Sequence, residues 1–127
     1  MSIDGVIYGR RKAEHIDERR ELFVSFNGEF VAKQGKIIVV HKDAVLGGHY
    51  HDYDELYYML TGQMRFILED VFFKNKEEYV LKPHHRIIIP WGVAHKVVAM
   101  EDSILLGYSE KPFVSTDRNC VSYDVGD

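Results

Sequence analysis

Two short histidine-bearing stretches hold the residues of this chain whose types and spacing could do chemistry. The first runs Gly48-His49-Tyr50-His51-Asp52-Tyr53-Asp54-Glu55 and closes on Gly62. Side chains alternate along an extended strand, so His49 and His51 share one face. Asp52 and Asp54 favour a turn that keeps Glu55 on that face, with Tyr57 and Met59 following on the same parity. The second stretch reads Pro90-Trp91-Gly92-Val93-Ala94-His95. Proline ends an apolar strand, Gly92 permits a positive φ, and the turn delivers His95 to the start of the next strand. A single histidine or glutamate is more often a surface residue than a ligand. Four such residues in two matched spacings are expected to converge: His49, His51, Glu55 and His95. Neutral imidazoles and one carboxylate suit one divalent transition metal, and Zn, Mn, Fe, Ni, Co and Cu all stay open.

Such a centre can polarise a ketone and support an isomerase or epimerase acting on a carbonyl sugar or related polyol. It can equally hold Fe(II) with open positions for substrate and oxygen, as a dioxygenase needs. A third possibility is a binding module without turnover. Metal-bound groups are poor bases, so proton abstraction needs another side chain. Tyr57 is the inward-facing candidate, with core packing as its competing role. Lys96 and His84 are fallbacks. His15 and His41 read as surface or strand-end residues. His84 and His85 follow Pro83 in a turn, where one of them could line the mouth of a cavity.

These groups need a scaffold, and the chain supplies short apolar runs separated by turn formers. Runs at 22–26, 37–41, 56–60, 64–68, 71–73, 79–81, 87–89, 96–100 and 104–108 read as strands. Asn27-Gly28 gives a hairpin signal after the first of them. Residues 10–21 have a poor helical period and read as a helix or an edge strand. The pattern predicts an all-β antiparallel sandwich or barrel. Runs 56–60 and 87–89 are apolar on both faces, which leads us to expect a homodimer covering the outer face.

The 127 residues suit one domain spanning 1–127. Net charge is −4 and no basic stripe appears, so no nucleic-acid partner is expected. The basic clusters Arg10-Arg11-Lys12 and Arg19-Arg20 alternate with Glu14, Asp17, Glu18 and Glu21, and read as a solvated face. Cys120 is the single cysteine, which excludes an intrachain disulfide and fits a reducing, cytoplasmic setting. The longest aliphatic run is far too short for a membrane helix, so no membrane partner is expected. The expected partner is a small-molecule substrate.

The two motifs resemble those of the cupin superfamily. His49, His51, Glu55 and Gly62 match its H-x-H-x3-E-x6-G segment, with Asp43 where that motif opens on glycine. Pro90, Gly92 and His95 match its P-x-G-x2-H segment, flanked by His84 and Ala99 where the motif has Gly and Asn. The resemblance covers about residues 36–109 and implies a small jelly-roll barrel. A finer resemblance points to the nucleotide-sugar epimerase and ketoisomerase cupins. It rests on Asp17-Glu18-Arg19-Arg20-Glu21-Leu22-Phe23, on Gly47-Gly48-His49-Tyr50-His51, and on Lys111-Pro112-Phe113 with Tyr123. Arg20 stands where those relatives have Gly, and Leu46 where they have Arg. The zinc-binding cupin domains of some capsular-sugar reductases, with an H-x-H pair and a later Glu, are also similar.

Overall fold

The computed structural model describes residues 3–113 and 120–126, and among them there are strands and turns but no helix. In chain order the strands are β1 (Ile7–Arg10), β2 (His15–Ile16), β3 (Glu21–Leu22), β4 (Gln34–Val40), β5 (Val45–His51) and β6 (Glu55–Thr61). They continue as β7 (Met64–Asp70), β8 (Lys76–Leu81), β9 (His85–Ile89), β10 (Val93–Ala99), β11 (Ser103–Ser109) and β12 (Cys120–Ser122). One five-stranded sheet has the order β1-β9-β6-β11-β4 and the other β12-β5-β10-β7-β8. Every pairing is antiparallel. The fold is the all-β jelly roll that the motifs implied.

Alternation places the core between the sheets. Met59, Ile87, Ile89 and Leu105 of the first sheet pack with Met64, Phe66, Leu68, Leu81 and Val97 of the second. These side chains are almost wholly withdrawn from water, and burial of this kind is worth about 1.5–3 kcal/mol per large residue. The strands expected over 37–41, 56–60, 64–68, 79–81, 87–89, 96–100 and 104–108 all form, most of them extended by a few residues.

Of the two alternatives for residues 10–21 the strand holds in part and the helix does not: β2 pairs with β3, and Asp17 accepts bonds from the backbone N–H groups of Arg19 (2.8 Å) and Arg20 (3.1 Å). Two local expectations fail. Residues 71–73 form a turn, where Asp70 Oδ1 accepts from the Phe72 and Phe73 amides. Residues 23–33 contain no strand, so Asn27-Gly28 closes no hairpin. Their apolar residues find a different solution. Phe23, Phe26, Phe30 and Ala32 lie across the outer face of the first sheet, on Leu56, Tyr58 and Ile88. Arg86 holds this strap through the Ser25 carbonyl (2.8 Å) and Glu29 (3.3 Å).

The strap accounts for strands that are apolar on both faces without a partner subunit. The second sheet has a counterpart, since Val125 and Tyr123 cover Ile67, Ala94 and Tyr50. No helix among the described residues is long and apolar enough to cross a membrane.

Candidate functional site

β5 and β10 lie side by side, and their register sets the site. His49 pairs with His95, but the next partner of Lys96 is Gly47, so Gly48 is an extra residue on β5. This bulge bends the strand and re-aims the side chains beyond it. Both glycines have positive φ, +87° at Gly47 and +79° at Gly48. A Cβ on Gly47 would lie 2.5 Å from the His95 carbonyl oxygen, so this backbone contact admits glycine alone. Gly48 makes no such close approach, with the Tyr123 carbonyl oxygen 3.8 Å from a Cβ built there.

β5 ends at His51 in one sheet and β6 begins at Glu55 in the other. The bend between them turns Glu55 inward, as the aspartates at 52 and 54 suggested. Asp54 Oδ1 also accepts from the Trp91 amide (2.9 Å), and the Gly92 amide donates to the His51 carbonyl (3.0 Å). These two bonds clamp the Pro90–Gly92 turn to the end of the first motif. From its place in the motif Asp54 reads as a turn former alone.

The four singled-out residues do come together. One ligand atom from each of His49, His51 and His95 lies within 4.8 Å of the others. Glu55 Oε1 is 3.4 Å from His51 Nε2 and 3.5 Å from His95 Nε2. Donors bound cis on one ion, at bonds of about 2.1 Å, sit roughly 3.0–3.4 Å apart. The Glu55 contacts are thus near the spacing that such an ion requires, and the donor set fits a divalent transition metal. His51, Glu55 and His95 are buried, at 8%, 4% and 3% exposure, while His49 is half-buried.

Protonation favours the same reading. Burial pushes His95 down to about 4, against a small opposing effect of its bond to the Val93 carbonyl. At neutral pH the ring is therefore neutral. Its Nδ1 donates a long bond to that carbonyl (3.4 Å), which leaves the Nε2 lone pair facing Glu55 and the cluster. Tyr53, which sequence parity did not single out, stacks on His51 at 4.6 Å between centroids.

Tyr57 also reaches the site. Its hydroxyl donates to Glu55 Oε2 at 2.8 Å. Burial first, then the adjacent carboxylate, hold its pKa well above the usual phenol value. That direction favours a group that keeps its proton and fixes Glu55, and is opposite to what a base requires. The two fallbacks lie elsewhere. Lys96 does not line the cavity. His84 is on the outer side of the first sheet, bonded to the Tyr58 hydroxyl (2.9 Å) and stacked on Phe23.

A cavity of about 380 Å³, open mouth included, leads to His49, Tyr57 and His95. Its walls are otherwise apolar: Ile38, Leu46, Met64, Phe66, Val97 and Leu105. These residues come from five strands, so no motif could have announced them. Leu46 is the position where the sugar-nucleotide cupins carry arginine, and here it contributes aliphatic wall.

Comparison with known proteins agrees with this architecture. The family description "Cupin domain" matches residues 36–106. A search of curated proteins found no significant match. Among solved structures, a TDP-quinovose 3,4-ketoisomerase from Campylobacter jejuni superposes with a TM-score of 0.80 at 19% identity, covering 94% of this chain and 93% of that one. The sugar 3,4-ketoisomerase QdtA from Thermoanaerobacterium thermosaccharolyticum, in complex with TDP, gives 0.77 at 19% identity over 94% and 89% of the two chains. A dTDP-4-dehydrorhamnose 3,5-epimerase from Sulfolobus tokodaii gives 0.77 at 23% identity, over 88% and 73%. At these identities the likeness is one of fold.

Proposed function

Since the chain belongs to the cupin domain family, we propose that it is a metal-binding enzyme that isomerises or epimerises a small carbonyl compound of sugar size. The observation that carries this reading is the convergence of His49, His51, His95 and Glu55 beside an open cavity that His49 and His95 line. These four residues would hold one divalent ion. Its contribution would be Lewis acidity toward a carbonyl oxygen.

The chain's own residues supply the rest. Tyr57 keeps its proton on the Glu55 carboxylate and so fixes the orientation of Oε1 toward His51 and His95. The Val93 carbonyl fixes the His95 tautomer. The aliphatic walls exclude water and strengthen every polar interaction within the cavity. The solved structures of similar fold are described as sugar epimerases and ketoisomerases, which supports carbonyl-sugar chemistry as the starting class. Soluble expression in the cytoplasm completes the proposal, together with a homodimer formed through surfaces other than the face that the strap covers.

The test is proton exchange at the carbon next to the carbonyl, followed by NMR in deuterated water across a panel of keto sugars and their nucleotide forms. Exchange that depends on Glu55 supports the proposal, and its absence across the panel refutes it. The nearly apolar lining favours a second reading, a dioxygenase for a small diketone, diol or thiol. Oxygen uptake by the iron-loaded protein with such a compound, without keto-sugar exchange, would select that reading.

A further inference from the structure

We propose that the end of β1 and the turn before β9 carry a second site, a basic cleft that binds a phosphate-bearing small molecule. Two adjoining hollows of about 580 and 720 Å³, open solvent included, lie there, and Arg10 lines both. Arg11, Lys12 and Phe23 line the first, and Lys82 and His85 the second. Four permanent cations thus surround one concave surface on a chain whose net charge is −4.

The sequence pattern placed acidic neighbours among these residues, and the fold draws Asp17 away from them. Asp17 is engaged within the β2–β3 hairpin by His15 (2.8 Å) and Arg19 (3.2 Å). Among the described residues, Arg10, Lys12 and Lys82 make no ion pair, although Glu21 lines the same hollow as Arg10 and Lys12. Arg11 is anchored by its Nε to the Val24 carbonyl (3.0 Å), which leaves its terminal N–H groups for another acceptor. His85 registers the neighbouring charge: burial lowers its pKa first, and Arg10 lowers it further, against an opposing effect of its bond to the Lys82 amide. Its Nδ1 accepts from the Lys82 amide (2.8 Å), so the ring proton sits on Nε2, a neutral donor beside the cations.

The floor of the cleft is built rigidly. His84 has a φ of 68°, uncommon for a residue with a side chain. Four contacts impose it. Its amide donates to the Met59 carbonyl (2.9 Å), and its carbonyl accepts from the Arg11 amide (2.7 Å). Its Nδ1 meets the Tyr58 hydroxyl, and its ring stacks on Phe23 at 3.6 Å and 9°. Strain that the surroundings over-determine is concentrated at ligand sites. Guanidinium, ammonium and imidazole donors spread around a hollow match a group with several oxygens and two charges.

This cleft is separate from the barrel cavity. Tyr57 faces the cavity while Tyr58, the next residue of β6, holds His84 on the other side of the sheet. Neither Arg10 nor Lys82 lines the cavity, and Arg10 pairs with His85 at the start of β9 while Glu55 pairs with Ile89 at its end, so the inference stands independently of the function proposed above.

Isothermal titration with inorganic pyrophosphate tests it, on the wild-type protein, the double variant Arg10→Glu/Lys82→Glu and the cavity variant His49→Ala. Wild type and H49A are expected to bind saturably, with affinity falling as salt rises. The double variant should bind at least about tenfold more weakly, because two charge-assisted contacts are reversed. Should it not fold, Lys82→Ala, an exposed change, should still weaken binding severalfold. No saturable binding to wild type, equal binding by the charge variants, or loss in H49A alone would overturn the proposal. So would binding of a single-stranded oligonucleotide without binding of pyrophosphate.

Discussion

Replacing Tyr57 by phenylalanine removes one oxygen and leaves the ring where it is, between Phe66 (5.6 Å) and His95 (6.4 Å). What is lost is the 2.8 Å bond to Glu55 Oε2. Glu55 is only 4% exposed, so water cannot readily replace the donor. Leaving a buried polar group unsatisfied costs about 1–3 kcal/mol, more if it is charged. Y57F should therefore be less stable than wild type by about that amount in the metal-free form. The larger effect concerns the ion. Removing a hydrogen bond that orients a metal-binding carboxylate lowers affinity by about 10–100-fold. Competition against a chromophoric chelator measures that affinity, and urea unfolding of the chelator-treated protein measures stability. Unchanged metal affinity in a normally folded Y57F would refute the reasoning that Tyr57 holds Glu55 in place.

Three further outcomes follow from the same contacts. The His95 imidazole is pushed down to about 4 by burial, whereas an unfolded histidine titrates near 6.5. Between those values the unfolded chain binds more protons, so stability should fall as pH drops from about 6.5 to 4. The loss totals roughly 3 kcal/mol at about 1.4 kcal/mol per unit. Above pH 7 this contribution is constant. Urea midpoints of the metal-free protein across that range test the sign, and H95Q should abolish the dependence that His95 contributes. Gly47→Ala forces a methyl to 2.5 Å from the His95 carbonyl at a φ of +87°, and should cost about 1–3 kcal/mol or more, read by thermal melting, together with reduced metal binding. Phe30→Ala uncovers Leu56, Tyr58 and Ile88 and should destabilise by about 3–5 kcal/mol without changing the oligomeric state, as unfolding and light scattering would show.

The site was legible because strand parity and turn chemistry are local. His49 and His51 share a face through period 2, and Pro90 with Gly92 marks the turn before His95. Non-local packing hid the rest. The run at 22–26 carries strand-like residues, yet its phenylalanines are buried by lying on a sheet that forms later in the chain. The dipeptide Asn27-Gly28 signals a hairpin only if a second strand is free to pair, and β4 pairs with β11 instead. β1 and β12 escaped notice because each is short, and its partner is distant in sequence: β9 for β1, β5 for β12. The cavity wall likewise draws one or two residues from each of several strands. The double-sided apolar strands suggested a partner subunit, whereas the strap of this same chain covers Leu56, Tyr58 and Ile88.

Metal analysis of the purified protein by mass spectrometry, alongside H49A, H51A, E55Q and H95A, bears most directly on the account. A divalent ion near one equivalent in the wild type, and its loss or sharp reduction in each folded variant, is the predicted result. Protein that takes up no divalent ion when one is supplied, or variants that keep it at the wild-type level, would contradict the claim that these four side chains form a single centre.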